Sequence, residues 1–303
     1  MTIKFFNRLT NQIEEEKVYG AALVNWLYQS KSGQVLSHFL CKAPLSKAYG
    51  FMQDLPTSKD KIPQFINNYG IKMSDFLPEE GRSESNPYSS FNKFFIRRFR
   101  EGARNFIQNP NEMGAFAEAR YFGYEAVQDH ERVPVKGEYL SAKGLINNYK
   151  WNEIFQNGPL LLARLCPVDY HRFHFPDNCR ILDEYRIPGL YHSVNPVAIH
   201  EKQDIFITNE RHVTILETEN FGKLAYIEVG AICVGKIVQS QKLTPGRKFS
   251  KGDEKGYFLF GGSTVIVVGE KNKWKPSQDI IDNTKAGLET YIQLGMSVAT
   301  TGK

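Results

Sequence analysis

Ser263 stands directly after Gly261 and Gly262 and directly before the β-branched run Thr264, Val265, Ile266, Val267 and Val268. A tight turn entering a buried strand accounts for this, because glycine supplies unusual backbone angles and β-branched side chains prefer a pleated surface. Two histidines, His171 and His174, lie three apart in the stretch DYHRFHFP, residues 169 to 176. On a helix they would share a face and could hold a metal, but Phe173, Phe175 and Pro176 favour an extended segment, whose odd spacing sends the two rings to opposite faces. No shared metal is expected. One histidine aimed at a pocket could serve as general acid or base, and the plain alternative is one ring satisfied in the core with the other at the surface. Glu118, in FAEARYFGYE, is a carboxylate among apolar and aromatic neighbours, where it must be paired or its pKa must rise. A salt bridge, for example to Arg120, meets that need, and a histidine partner would meet it while orienting the ring.

The elements that must position these residues follow from periodicity. From about 14 to 70, Val18, Ala21, Ala22, Leu23, Trp26 and Leu27 recur near the helical period, and Gly33, Pro44 and Pro56 break the region into several helices. Their apolar faces must cover the rest of the protein or lie in a membrane interface. The polar stretch LPEEGRSESNPYSS, 77 to 90, is the candidate boundary. Beyond it, short segments such as GPLLLARLCPV, DIFITNERHVTILET, KLAYIEVGAICVGKIV and STVIVVGEK have strand length and strand composition, punctuated by Gly, Pro and Asn. The expected fold class is therefore α+β, with N-terminal helices packed on a mostly antiparallel sandwich or barrel-like body.

Composition narrows the function. A chain of 303 residues with 41% hydrophobic and 23% charged residues has ordinary globular make-up, and its net charge of +5 is too small and dispersed to argue for nucleic acid. Cys41, Cys166, Cys179 and Cys233 form no CxxC pair, which argues against a disulfide framework or a zinc ribbon. The first residues lack the apolar stretch of a secretory signal, and no later segment is apolar over the length of a spanning helix, so a soluble or peripheral protein is expected. There is no GxSxG elbow, Walker A loop or early GxGxxG. SFNKFFIRRFREGAR, 90 to 104, mixes Phe91, Phe94, Phe95 and Phe99 with Arg97, Arg98 and Arg100; an amphipathic helix with one buried face explains it, and no nucleic-acid partner is expected.

Taken together, these segments resemble the phosphatidylserine decarboxylase family from about residue 88 onward. SFNKFFIRRFREGAR is similar to its FN-x-FF-x-R-x-L entry segment, DYHRFHFP to its histidine motif and HSVNP to the following turn; NER, VGAICVGKI, KGDEKGYFLFGGST and GLETYIQLGMSVA then fall in family order. The resemblance implies a proenzyme that cuts itself between Gly262 and Ser263 into chains 1–262 and 263–303. It gives Ser263 the role of nucleophile and of precursor to a covalent pyruvoyl cofactor. It makes His174 the base for self-cleavage, Glu118 the acid that orients it, and His171 the proton donor in decarboxylation. Glycines before the serine would permit the close backbone that the attack needs, and a side chain at 262 would obstruct it. The pyruvoyl ketone would form a Schiff base with the substrate amine and act as electron sink while carbon dioxide leaves, with no external cofactor or metal.

The implied substrate is phosphatidylserine and the product phosphatidylethanolamine. The implied setting is an anionic membrane surface, peripheral on the cytoplasmic face of the cell membrane, with a homodimer expected. Residues 1–80 would be the helical membrane-associating or covering region and 81–303 the decarboxylase domain. The chain departs from the family at the acid: Phe116-Ala117-Glu118-Ala119 stands where the family usually has Pro-Ala-Asp-Gly. Matching Ala117-Glu118 to the Ala-Asp step needs no gap, whereas a shift by one would set Ala119 opposite the aspartate and break the triad. Two other outcomes follow from that departure and from the family's known drift: an uncleaved pseudoenzyme serving as lipid-binding scaffold, and a pyruvoyl decarboxylase of a free aromatic amino acid.

Overall fold

The β-branched run after Ser263 forms a central strand, Ser263–Gly269, of a ten-stranded sheet. The computed structural model describes residues 3–17, 26–30, 32–33, 41, 50–127, 131–133, 138–201, 204–231 and 236–302. Across the sheet the strands run Lys248–Phe249, Cys179–Ile187, Arg211–Thr218, Lys223–Val229, Ser263–Gly269, Leu160–Leu165, Ala119–Tyr124, Glu289–Ile292, Lys4–Asn7 and Gln12–Glu15. Every neighbouring pair is antiparallel except Lys4–Asn7 beside Glu289–Ile292, which is parallel. Ser263–Gly269 and its neighbour Leu160–Leu165 are buried at every position. They are apolar without alternation because both faces of the sheet are covered there.

Smaller sheets supply further layers. Arg172–His174, Glu254–Phe258 and Ile237–Gln239 form one antiparallel trio, and Trp274–Pro276, Ser297–Thr301 and Glu112–Gly114 another. The expected α+β class with a mostly antiparallel body is what the chain adopts; among the described residues the large sheet is open and not a closed barrel.

The N-terminus begins differently from expectation. Residues near 14, read as the start of helices, belong to a hairpin that turns at Asn11, whose φ of 55° is left-handed, and that extends the large sheet. Residues 26–29, 32–33 and 50–52, Trp26 and Leu27 among them, are helical as expected, and a further helix, Ile62–Tyr69, ends at Gly70 in the left-handed conformation. Val18, Ala21, Ala22 and Leu23, which carried the helical pattern, lie outside the described residues, as does Cys233. The stretch 77–90 is spanned by a short ladder of Phe76–Leu77 with Arg98–Phe99. Around it, Ile62 and Phe65 share one buried cluster with Tyr88, Phe91, Phe94, Phe95 and Phe260, so the segments before and after the stretch meet just ahead of Gly261.

Candidate active site

Ser263 opens its strand opposite Leu165 and is 0% exposed. Its Oγ has no hydrogen-bond partner. Leaving a buried hydroxyl unpaired costs about 1–3 kcal/mol, so the position is one where a free hydroxyl is kept at the expense of stability. The backbone ahead of it is also special. Gly261 has φ 146°, which L side chains rarely adopt. Gly262 has no such restriction, and a Cβ there would touch only Val194 Cγ2 at 3.4 Å. The conformational demand expected of both glycines thus falls on Gly261, and space alone does not exclude a side chain at 262. Gly261→Ala should therefore lose about 1–3 kcal/mol of stability and slow any cut at the next bond by about tenfold or more. Gly262→Ala should cost less stability; thermal unfolding and the time course of intact mass check both.

The two histidines have different surroundings, and the ladder shifts register between Phe173 and His174. His171 Nδ1 is 3.0 Å from the Asp169 carbonyl, which makes Nδ1 the protonated nitrogen and leaves Nε2 with a free lone pair. That Nε2 is buried and without a partner. The ring lies on Phe95, 3.9 Å between centroids, and the Gly261 backbone is close enough to favour its charged form. Burial outweighs this and pushes the His171 pKa down to about 3, so the ring is neutral in the uncut chain. His174 sits with its Nδ1 2.8 Å from the Gly252 carbonyl and its Nε2 3.4 Å from Tyr170 Oη, with Phe106 beside it. Burial lowers its pKa as well.

Glu118 is buried but bonds to neither histidine. Arg104 donates to both of its oxygens, from Nε at 2.5 Å and Nη2 at 2.9 Å, and Tyr291 Oη and the Leu294 N–H complete its shell. A bidentate guanidinium is a strong partner for a carboxylate, which settles how Glu118 is accommodated among aromatics. Its partner is thus Arg104, not Arg120. The structure brings His171 to the glycine–serine segment, whereas Glu118 and His174 each bond elsewhere. Glu118 lines a cleft of about 410 Å³ together with Arg97, Arg104, Arg120, Asp169 and Tyr170, and neither Ser263 nor His171 is part of that wall.

Arg120 serves a second cluster, pairing with Asp169 at 2.7 Å and Glu16 at 3.0 Å. Arg164 joins Glu16 to Glu289. Burial would raise Glu16, yet Arg164 and Arg120 together hold it at about 2. For Asp169, burial prevails over Arg120 and lifts it to about 6. This network ties the N-terminal hairpin to the loop that carries His171. Among the described residues no group of three or more His, Cys, Asp or Glu could hold a metal ion.

Two further residues position the site from within family-like segments, and residue type alone gave neither this role. Arg97 is buried between the rings of Phe76 and Phe94 and donates to the Val168 and Asp169 carbonyls, bracing the turn whose carbonyl holds His171. Asn209, of NER, accepts from the His192 N–H and donates to the carbonyls of His192 and Gly230. It thereby joins HSVNP, which contributes Val194 beside Gly262, to the VGA turn. A polar residue inside an otherwise strand-like motif was the available signal.

Comparison with known proteins agrees with this architecture. Residues 91–300 match the model of the family described as phosphatidylserine decarboxylase. The chain is 41% identical over 293 residues to a phosphatidylserine decarboxylase proenzyme of Clostridium tetani (strain Massachusetts / E88), covering 97% of this chain and 96% of that one. It is 41% identical over 297 residues to the proenzyme of that name from Clostridium botulinum (strain Hall), with 98% of each covered, and 39% identical over 297 residues to that of Clostridium perfringens (strain SM101), with 98% and 99% covered. A chain matched at this level to decarboxylase proenzymes over 97–98% of its length is a decarboxylase. The chain belongs to the phosphatidylserine decarboxylase family.

Proposed function

We propose that this chain is a proenzyme that cuts itself between Gly262 and Ser263 and then decarboxylates phosphatidylserine at an anionic membrane surface. The observation that carries the proposal is the buried, unpartnered Ser263 Oγ directly after a backbone held at φ 146°. In the cut, Oγ attacks the Gly262 carbonyl carbon, forming a C–O bond as the C–N bond breaks, and a base takes the hydroxyl proton. Loss of the Ser263 α-proton then breaks the Cβ–O bond, leaving Gly262 as a carboxylate. Water replaces the nitrogen of the dehydroalanine, releases ammonia and leaves a ketone at position 263. When formed, that pyruvoyl group supplies an electron sink for the departing carboxylate. His171, with Nε2 free beside this segment, suits proton transfer there. His174 and Glu118 are proposed for the cleavage base and its orienting acid by their place in the family motif.

Support for a membrane face comes from residues 51–61. Phe51, Met52 and Leu55 are exposed by 65%, 56% and 40%, and Lys59 and Lys61 follow them at the surface. Exposed apolar side chains beside lysines suit an anionic lipid interface. Among the described residues no helix is long and apolar enough to cross a membrane. Replacing both Phe51 and Met52 by aspartate should weaken sedimentation with anionic vesicles by about tenfold or more, since burying each side chain is worth about 1.5–3 kcal/mol, with little change in thermal unfolding.

The intact mass of the chain, followed by carbon dioxide release from phosphatidylserine vesicles and from free aromatic amino acids, tests the proposal. Two fragments with lipid-dependent release support it. A second reading is favoured by the Arg104–Glu118 pair, which keeps Glu118 from hydrogen-bonding His174: an uncut, lipid-binding scaffold. One stable full-length species that still binds anionic vesicles would establish that reading instead.

A further inference from the structure

Gly261 and Gly262 bridge two fixed points. On one side the strand beginning at Ser263 is locked between Leu160–Leu165 and Lys223–Val229. On the other side Phe260 is held twice by the short helix Phe91–Phe95. Its ring is clamped edge-on by Phe91 and Phe95, with centroids 5.2 and 5.1 Å away, and its N–H donates to Asn92 Oδ1 at 2.8 Å. A strained backbone persists only where its surroundings over-determine it. A two-residue span between such anchors leaves Gly261 to absorb the mismatch.

Asn92 is placed to be the decisive anchor. It is 1% exposed, and its amide nitrogen donates to Asp54 Oδ1 at 2.9 Å and to the Gly50 carbonyl at 3.2 Å. Those two acceptors leave no ambiguity about the amide's orientation: turned over, it would set its oxygen against them and its NH₂ against the Phe260 N–H. The same helix carries Phe95, which stacks on His171. One turn of helix therefore aligns both the backbone that is to be attacked and the ring beside it.

We infer that Asn92 is a positioning residue for self-cleavage, holding the Phe260 N–H so that the strained Gly261 presents the Gly262 carbonyl to Ser263 Oγ. This rests on the proposed cut at Gly262–Ser263. It acts through the backbone and touches no reacting atom.

The test follows intact mass over time for freshly synthesised wild type, Asn92→Ala, the double variant Asn92→Asp/Asp54→Asn, and Ile62→Ala, each with and without hydroxylamine, alongside thermal unfolding. Asn92→Ala should cut about tenfold or more slowly, since misplacement by about 1 Å can cost a hundredfold. Hydroxylamine, which intercepts the ester, should not restore that rate, because the fault lies in forming the ester. In the double variant the carboxylate at position 92 accepts from Phe260 and the amide at 54 donates back, so the rate should return to within a few-fold of wild type. Ile62→Ala loosens the same aromatic cluster without touching the hydrogen bond and should lower the melting temperature while keeping the rate. Wild-type cleavage in Asn92→Ala, rescue of it by hydroxylamine, or equal slowing in Ile62→Ala at matched stability would overturn the inference. An uncut wild type would instead overturn the proposed function, and this inference with it.

Discussion

Ser263→Ala should remain a single chain of 34.7 kDa and release no carbon dioxide from phosphatidylserine, where the proposed cut of wild type should give fragments 1–262 and 263–303. Without Oγ no ester forms, and without the ester no ketone arises at 263, so one atom removes both activities. Unfolding of the variant should occur at or slightly above the wild-type temperature. The usual reason for a buried polar deletion to destabilise is the orphaned partner it leaves behind, and Ser263 Oγ has no partner to orphan. The paired result distinguishes a lost nucleophile from a lost fold. A variant still cut at the same bond would place the nucleophile elsewhere.

His171→Ala should still be cut, yet lose decarboxylation by about a hundredfold to ten-thousandfold, the usual worth of a positioned general acid or base. The ring adjoins the segment that ends in the new carbonyl group, and its Nε2 has no competing partner. In the uncut chain burial pushes its pKa down to about 3, so the ring is neutral and Nε2 carries no proton to give. Cleavage creates a carboxylate at Gly262, and an opposite charge nearby favours the imidazolium. The decarboxylation rate of the cut enzyme should accordingly fall as pH rises through that raised pKa. His174→Ala, by contrast, should stay full length. If the pattern reverses, with His171→Ala uncut and His174→Ala maturing, the cleavage base is His171, where its place beside Gly261 would suit it.

Much of this was visible in residue order alone. β-branched and aromatic residues at strand length, with Gly, Pro and Asn between them, marked the strands from 160 onward because a sheet covered on both faces needs continuous apolar runs. The docking of the N-terminal hairpin was hidden because Lys4–Asn7 finds its second partner at Glu289–Ile292, a pairing with no local signal. The partner of Glu118 was hidden for a like reason. A carboxylate among aromatics announces that something must neutralise it, but Arg104 and the pair Tyr291 and Leu294 come from two distant segments, and Arg120 is closer in sequence without being the partner.

The amino-acid sequence by itself determined the family, the α+β class and the buried strand after Ser263, since each depends on residue type, spacing and order along the chain. Only the tertiary structure decided that Gly261 and not Gly262 carries the unusual backbone, that His171 is the ring beside it, and that Arg104 holds Glu118. Those outcomes depend on which distant segments compete for the same buried polar group, and that competition is resolved by packing in three dimensions.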